Sequence, residues 1–176
     1  MSIKKVNQTR KNILTAIFVA LCVVLPLAFH LIPNAGTVFL PMHIPILLCG
    51  MLCGWQYGAV CGLLGPFLSC LLTSMPAIAY LPVMMIECCM YGLISGVMLR
   101  YLHTGKTYLN LYLTLIVAMI CGRVASGIVK YVLFSGGLTL NGWIVSGFVT
   151  CFPGILIQLA LIPSIVYFLN KSGIVK

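Results

Sequence analysis

Six apolar stretches, separated by short connections, constrain the fold of this chain more than any other feature. They cover residues 13–32, 38–53, 57–73, 82–102, 109–134 and 146–169. A helix needs about 20 mainly apolar residues to cross the hydrocarbon core of a bilayer. Of all residues, 62% are hydrophobic and only 6% are charged. The sequence therefore predicts an all-α membrane protein with six transmembrane helices, forming one integral membrane domain over residues 1–176.

The second and third stretches are short for complete spans, and both contain glycine and proline. This pattern favours bent helices or partial re-entry into the membrane. All connections are short, so no soluble domain is expected. No glycine-rich nucleotide-binding motif occurs in the sequence, so a partner would have to supply any ATP-driven step.

Basic residues mark one side of the predicted membrane. They precede the first stretch, flank the fourth connection and close the chain: Lys4, Lys5, Arg10, Lys11, Arg100, Lys106, Lys171 and Lys176. Since lysine and arginine in short loops are retained on the cytoplasmic side, both termini are predicted to be cytoplasmic. The net charge of +9 therefore reflects topology, and nucleic-acid binding is not expected. A signal peptide is less consistent with the long first stretch, which lacks an evident small-x-small cleavage site.

The nine cysteines do not form a metal-binding or disulfide pattern. They lie inside apolar stretches, are odd in number and contain no CxxC motif. Cys49 and Cys53 share a helix face, but no clustered histidine or carboxylate accompanies them. We interpret the cysteines as small apolar packing residues.

Three charged residues lie within the predicted spans, where topology does not explain them. Glu87 is the only acidic residue of the chain, and Arg123 and Lys130 share one face of the fifth stretch. A charge at the centre of a membrane helix costs about 2.5 to 3.5 kcal/mol on insertion scales. These side chains should therefore face the bundle interior, where they pair or line a wet cavity. The predicted topology places all three in the outer half of the membrane.

The intramembrane charges predict a substrate-binding site. Two positive charges against one negative leave an excess that a bound carboxylate could neutralise. Further polar side chains at the same depth would complete the site. The predicted substrate-binding residues are His43, Glu87, Arg123, Lys130, Asn141 and Trp143.

Each of these residues also has a purely structural interpretation. Glu87 and Arg123 could form an ion pair that only fixes helix packing. His43 could be a hydrogen-bonded structural histidine, and Trp143 an anchor at the membrane interface.

Small residues recur at helical spacing and predict close helix packing. Glycines occur every fourth residue from the second stretch into the third, at Gly50, Gly54, Gly58 and Gly62. This spacing leaves a flat strip on which another helix can lie, and we interpret it as packing within the molecule. Ala16 and Ala20 form a second small-xxx-small pair on the first stretch.

The chain resembles the substrate-binding S-components of energy-coupling factor (ECF) transporters, which take up vitamins in bacteria and archaea. The shared features are six helices in a protein of this size, a basic N-terminus and the AxxxA pair at Ala16 and Ala20. The most specific part lies between Leu40 and Met98, where LPMHIPILLCGMLCGWQYGAVCGLLGPFLSCLLTSMP and MMIECCMYGLISGVM are similar to the second-to-fourth-helix region of that family.

The resemblance implies a high-affinity substrate-binding subunit, not an enzyme, in the plasma membrane of a prokaryote. Substrate would bind near the outer side, and the face with Ala16 and Ala20 would contact a transmembrane coupling subunit that two ATPases drive. No cofactor or metal is expected. The excess positive charge favours a carboxylate-bearing vitamin such as pantothenate, while pyridoxine-type compounds and riboflavin stay open.

Two other functions fit parts of the sequence. A self-sufficient small membrane carrier or channel would also need six spans, but it would transport without a partner and without ATP. An intramembrane enzyme would have to use Cys88, Cys89 or His43, and the sequence has no recognisable spacing of nucleophile and base.

Overall fold

The structure is a computed structural model that describes residues 7–28, 35–102, 104–134 and 140–171, without the side chains at 35, 37, 140, 141, 146, 148, 170 and 171. Every regular element in these ranges is helical. The α-helices are α1 (Gln8–Ala28), α2 (Ala35–Phe39), α3 (His43–Cys53), α4 (Trp55–Thr73), α5 (Leu81–Tyr101), α6 (Thr107–Leu133), α7 (Leu140–Ile144) and α8 (Phe152–Lys171). A 3-10 turn, Ile78–Tyr80, precedes α5, and a π-helical turn, Val145–Val149, follows α7.

Five helices of the described residues are long and apolar enough to cross a membrane: α1, α4, α5, α6 and α8, with α5 extended by the 3-10 turn. The stretch predicted as one span at 38–53 is instead broken between α2 and α3. Leu40 adopts a left-handed conformation with φ of 51° before Pro41, whose ring restricts the helix. The 11 residues of α3 extend about 16 Å, which is too short for a complete crossing.

Helix α3 lies at the centre of the bundle and contacts α1, α4, α5 and α8. Ten of its 11 residues are buried, which fits a helix that is apolar on all sides. Around it, α4 packs against α1 and α5, and α5 packs against α6. Helix α8 covers α3 and also touches α2 and α6. The core therefore forms around the short helix and not around a long one.

Glycines bring α3, α4 and α5 into backbone contact, as their spacing predicted. A Cβ added at Gly58 would overlap the carbonyl group of Gly92, and one added at Gly92 would overlap the backbone of Gly58. Gly50 lies against the same part of α5. Gly54 has another role: its φ of 106° turns the chain from α3 into α4, a conformation that L side chains rarely adopt.

Aromatic contacts show which helix termini lie together. Tyr80, just before α5, stacks on Phe134, just after α6, with ring centroids 5.3 Å apart. At the other end, Tyr108 of α6 stacks on Tyr167 of α8 at 4.9 Å. Helices α5 and α8 therefore begin where α6 ends. We name this the Glu87 end and the opposite one the basic end, where the Lys11 ammonium lies 5.7 Å from the Tyr57 ring.

Candidate functional site

Glu87 lies six residues after the start of α5, about 9 Å along the helix. Its side chain is buried and is contacted from three directions. Oε1 of Glu87 lies 3.5 Å from Nε of Arg123 on α6 and 3.8 Å from Nε2 of His43 on α3. The Tyr91 hydroxyl donates a hydrogen bond of 3.0 Å to the same oxygen. Glu87, the only acidic residue of the chain, thus lies next to polar side chains of two neighbouring helices, α3 and α6.

His43 is the first residue of α3 and is 1% exposed. Its ring lies 5.1 Å from the Tyr91 ring, between centroids, and neither ring nitrogen has a hydrogen-bond partner in the part of the chain that the structure describes. Its distance to Glu87 is too long for a hydrogen bond. Buried polar atoms are normally satisfied, so the two ring nitrogens of His43 are an exception among the described residues.

Arg123 contacts both the Glu87 carboxylate and Cys151, the residue just before α8. Besides facing Glu87, its guanidinium donates from Nη1 to Sγ of Cys151 at 3.7 Å. A guanidinium carries five N–H donors, so these two contacts leave donors for a ligand. The Arg123 charge is compensated locally by Glu87, and the pair as a whole is neutral.

A cavity of about 120 Å³ adjoins Arg123 between α6 and α8. Tyr91, Arg123 and Gln158 are its polar lining residues, and Gln158 is 1% exposed. The amide of Gln158 reaches back 3.5 Å to the carbonyl of Leu40. The ion pair and the cavity therefore form one continuous site, with Arg123 and Tyr91 belonging to both.

A comparison of the sequence with protein families finds a known group of transporters. The family described as ECF transporter, substrate-specific component, matches residues 10–167, which is 158 of the 176 residues. The chain belongs to this family. The S-component is thus a multi-pass membrane transport subunit that binds a substrate. Neither curated proteins nor solved structures give a match.

Of the predicted substrate-binding residues of the S-component, the structure brings together His43, Glu87 and Arg123. Trp143 belongs to α7, and its indole fills the space beside Gly127 of α6, four residues after Arg123. Lys130 is half-buried near the end of α6 and contacts none of the three clustered residues in the described structure. The side chain of Asn141 lies outside the described residues. Whether any of them binds substrate stays a prediction.

Ala16 and Ala20, predicted to contact the coupling subunit, are exposed on α1. They lie on the side of α1 that faces away from α3 and α4, next to the exposed Ile13 and Ile17. This face is free for a partner or for lipid.

Sequence analysis of the S-component missed Tyr91, Gln158 and Cys151. Tyr91 follows Glu87 by four residues, and this spacing places both on one helix face, so it could have been found. Gln158 is a lone amide in an apolar helix, a weaker signal of a buried polar role. Cys151 is distinguished from the other cysteines only by the tertiary contact with Arg123.

All nine cysteines are free thiols. In the described ranges, no three His, Cys, Asp or Glu side chains come together in a way that could hold a metal ion.

Proposed function

We propose that this S-component captures a small water-soluble vitamin or related micronutrient that bears a carboxylate, with pantothenate as the first candidate. The observation that carries the proposal is the buried group of Glu87, Arg123 and His43 at one end of the bundle. Charged and polar side chains are expensive inside a membrane, and they are typically retained where they serve a substrate path.

The carboxylate of the substrate is proposed because the positive charges on α6 exceed the one negative charge of Glu87. Glu87 compensates Arg123, but the Lys130 ammonium has no ion-pair or hydrogen-bond partner among the described residues. Seven residues separate Lys130 from Arg123, which is two helical turns and about 10 Å on the same face. A substrate that reaches from Arg123 to Lys130 could place its carboxylate at the lysine and its neutral polar groups at the ion pair.

We further propose six membrane crossings, with α2 and α3 together making the second. Both termini would then be cytoplasmic, and the Glu87 end would face outward. The basic residues at the opposite end support this orientation, because lysine and arginine are retained on the cytoplasmic side. Asn141 and Trp143, on α7, would then lie on the outer side of the site.

We propose that the exposed face with Ala16 and Ala20 contacts the transmembrane coupling subunit of an ECF module that carries two ATPases. Small side chains permit close approach between membrane helices, and these two alanines are available on the outside of the bundle. The location that follows is the plasma membrane of a prokaryote.

Two measurements test the proposed function. Denaturing the purified protein and identifying the released molecule by mass spectrometry should give a carboxylate-bearing micronutrient. Uptake by cells that carry the complete ECF module should require ATP, and Ala16→Trp should abolish uptake while the isolated protein still binds substrate. Ala160→Trp, at an exposed alanine on α8, is the matched control and should transport normally. Uptake by the S-component alone, without ATP, would instead indicate a self-sufficient carrier.

Lys130→Met tests the carboxylate. Removing one partner of a buried charge pair typically costs about 2 to 5 kcal/mol of binding free energy, and we expect that loss in ligand titration of the purified protein. Lys106→Met changes the same side chain at the basic end and should leave the affinity unchanged. Equal affinity in both variants would reject the role of Lys130.

A further inference from the structure

The break between α2 and α3 places non-helical backbone inside the bundle. Leu40 is left-handed, and the chain is helical again only from His43. The residues of the break are buried. In a membrane, such backbone is tolerated where other parts of the protein satisfy its N–H and C=O groups. Helix α1 contributes one such contact, because the Cys22 thiol donates to the Met42 carbonyl at 3.8 Å.

Helix α8 also contacts the break. The Gln158 amide donates to the Leu40 carbonyl at 3.5 Å. Gly154 lies one turn before Gln158 on the same face of the helix. It lies against the backbone of Val38 and Phe39, whose carbonyl groups an added Cβ would overlap. The glycine thus lets α8 approach the break closely, and the amide one turn later binds it.

Gln158 is unusual among the residues of α8 that face the bundle. The other buried residues described for this helix carry no polar side chain: Gly154, Ile162, Pro163 and Val166. A buried amide without a hydrogen bond costs free energy in an apolar surround, so an amide at this place needs a partner. The Leu40 carbonyl is the partner that the structure shows.

The Leu40 carbonyl connects Gln158 to His43. It accepts the Gln158 amide and also the backbone N–H of His43, at 3.1 Å, and the two lone pairs of a carbonyl oxygen permit both bonds. His43 is the first residue of α3, so this carbonyl helps to set where the helix begins. The His43 ring has no hydrogen-bond partner in the described ranges. Its place beside Glu87 therefore depends on packing and on the backbone that carries it.

We propose that Gln158 is a positioning residue of the candidate site. Through the Leu40 carbonyl it holds the start of α3, so that the His43 ring stays 3.8 Å from the Glu87 carboxylate and beside the Tyr91 ring. In this role Gln158 acts on the protein and not on the substrate. The inference rests on the proposed function, in which the Glu87 group binds substrate, and it assigns part of the control of that group to α8.

The position of the His43 ring can be measured without any substrate. The chain has three histidines, so His30→Gln with His103→Gln leaves His43 as the only one. Nuclear magnetic resonance of the purified, histidine-labelled full chain in detergent then shows one ring. Tyr91→Leu removes the aromatic ring whose centroid lies 5.1 Å away, and it should shift the His43 ring signal.

Gln158→Met keeps the length of the side chain and removes the N–H donors. We expect the His43 signal to move toward that of the Tyr91→Leu variant, and the response to Tyr91→Leu to be largely lost when the two changes are combined, because the two rings no longer lie together. Gln56→Met is the matched control. It makes the same change at an exposed glutamine of α4 and should leave the signal and its response as they are in the unmodified protein.

A second variant keeps the test independent of one substitution. Gly154→Ala displaces the backbone of Val38 and Phe39 and should change the His43 signal in the same direction, even if Gln158→Met does not fold.

Thermal unfolding of the same samples separates positioning from general support of the fold. If Gln158→Met lowers the unfolding temperature but keeps the full response to Tyr91→Leu, Gln158 is only structural and the inference is wrong. An unchanged signal and an unchanged stability would also overturn it. Failure of the proposed function would appear elsewhere, as uptake that needs no ECF module, because the resonance experiment involves no substrate.

Discussion

Helices α4 and α5 meet through glycines, whereas α6 and α8 meet through long side chains and leave a cavity. At the first interface, Gly58 and Gly92 bring two backbones into contact with no side chain between them. At the second, α6 and α8 touch over a short part of their length, and the cavity next to Arg123 and Gln158 separates them. The same bundle therefore contains one interface with no room for side chains and another with unfilled space.

The residues of the candidate site are divided between the regions of these two interfaces. His43, Glu87 and Tyr91 belong to α3 and α5, in the glycine-packed part, where their positions are fixed by backbone contact. Arg123 and Gln158 border the cavity between α6 and α8, although α6 itself packs against α5, with Gly122 next to the Tyr91 ring.

Glu87→Gln should have the largest effect, because it removes the charge that joins the two parts. It leaves the Arg123 charge buried without a counter-ion, and breaking such a pair costs about 3 to 5 kcal/mol when it is fully buried. Thermal unfolding in detergent should show the loss of stability. The double variant Glu87→Gln with Arg123→Gln should recover part of it, since no buried charge is then uncompensated.

The ligand titration of the same samples separates structure from binding. If Glu87→Gln keeps its stability and loses only affinity, Glu87 is a direct ligand contact. A neutral or cationic substrate would then replace the carboxylate-bearing one.

Gly92→Ala tests the rigid interface. The new Cβ would overlap the backbone of Gly58, which cannot move aside as a side chain can, so we expect a loss near the upper end of the usual range for overpacking, about 3 kcal/mol. Chemical unfolding of the purified protein measures it. Gly36→Ala is the control, because nothing lies within 4 Å of a Cβ there. A stable Gly92→Ala variant would show that α4 and α5 can separate and that the contrast between the interfaces is wrong.

Tyr91→Phe should have an intermediate effect. It removes the 3.0 Å hydrogen bond to Glu87 but keeps the ring that lies against His43 and Gly122. A hydrogen bond to a charged group contributes about 1.5 to 3 kcal/mol, and the retained ion pair with Arg123 places the expected loss at the lower limit. Comparing the free energies of unfolding of Tyr91→Phe and Tyr91→Leu separates the contribution of the hydroxyl, which both variants lack, from that of the ring, which only Tyr91→Leu lacks. Equal losses would assign the whole effect to the hydroxyl, whereas a loss in Tyr91→Leu alone would assign it to packing of the ring and contradict the prediction.

Gly127→Ala should have the smallest effect and gives the direct comparison with Gly92→Ala. Here the new Cβ would overlap the Trp143 indole, an end group that can rotate away, so we expect less than about 1 kcal/mol of destabilisation. The fluorescence of Trp143, measured with Trp55→Phe in the background, should change as the indole moves. If Gly127→Ala destabilises the protein as much as Gly92→Ala, the contact between Trp143 and α6 is as intolerant of an added methyl group as the contact between α4 and α5.

The long helices were predictable because a bilayer imposes a length and an apolar composition that the sequence displays directly. The predicted stretches 57–73, 82–102 and 109–134 agree with α4, α5 and α6 within two residues at each end. The stretch 38–53 was predicted as one span. Its division at Leu40 depends on a left-handed backbone conformation that hydropathy does not register.

The candidate site was predictable only in part. Glu87 and Arg123 were identified because charges inside a membrane need partners, and this rule selects residues from sequence alone. The position of Lys130 on the same helix face was also clear, but a shared face does not bring side chains together: Lys130 lies two turns away from the pair. Gln158 could not be assigned, because its role depends on how α8 crosses α2 and α6.

The sequence by itself determined the membrane environment, the small-residue packing and the identity of the buried charged residues. Each of these follows from local composition and spacing read against a bilayer. Only the tertiary structure decided that the short helix α3 forms the core, that His43 and Tyr91 meet Glu87, and that a cavity lies beside Arg123. These features arise from contacts between residues far apart in the chain, whose distances depend on how several helices pack at once and not on any single segment.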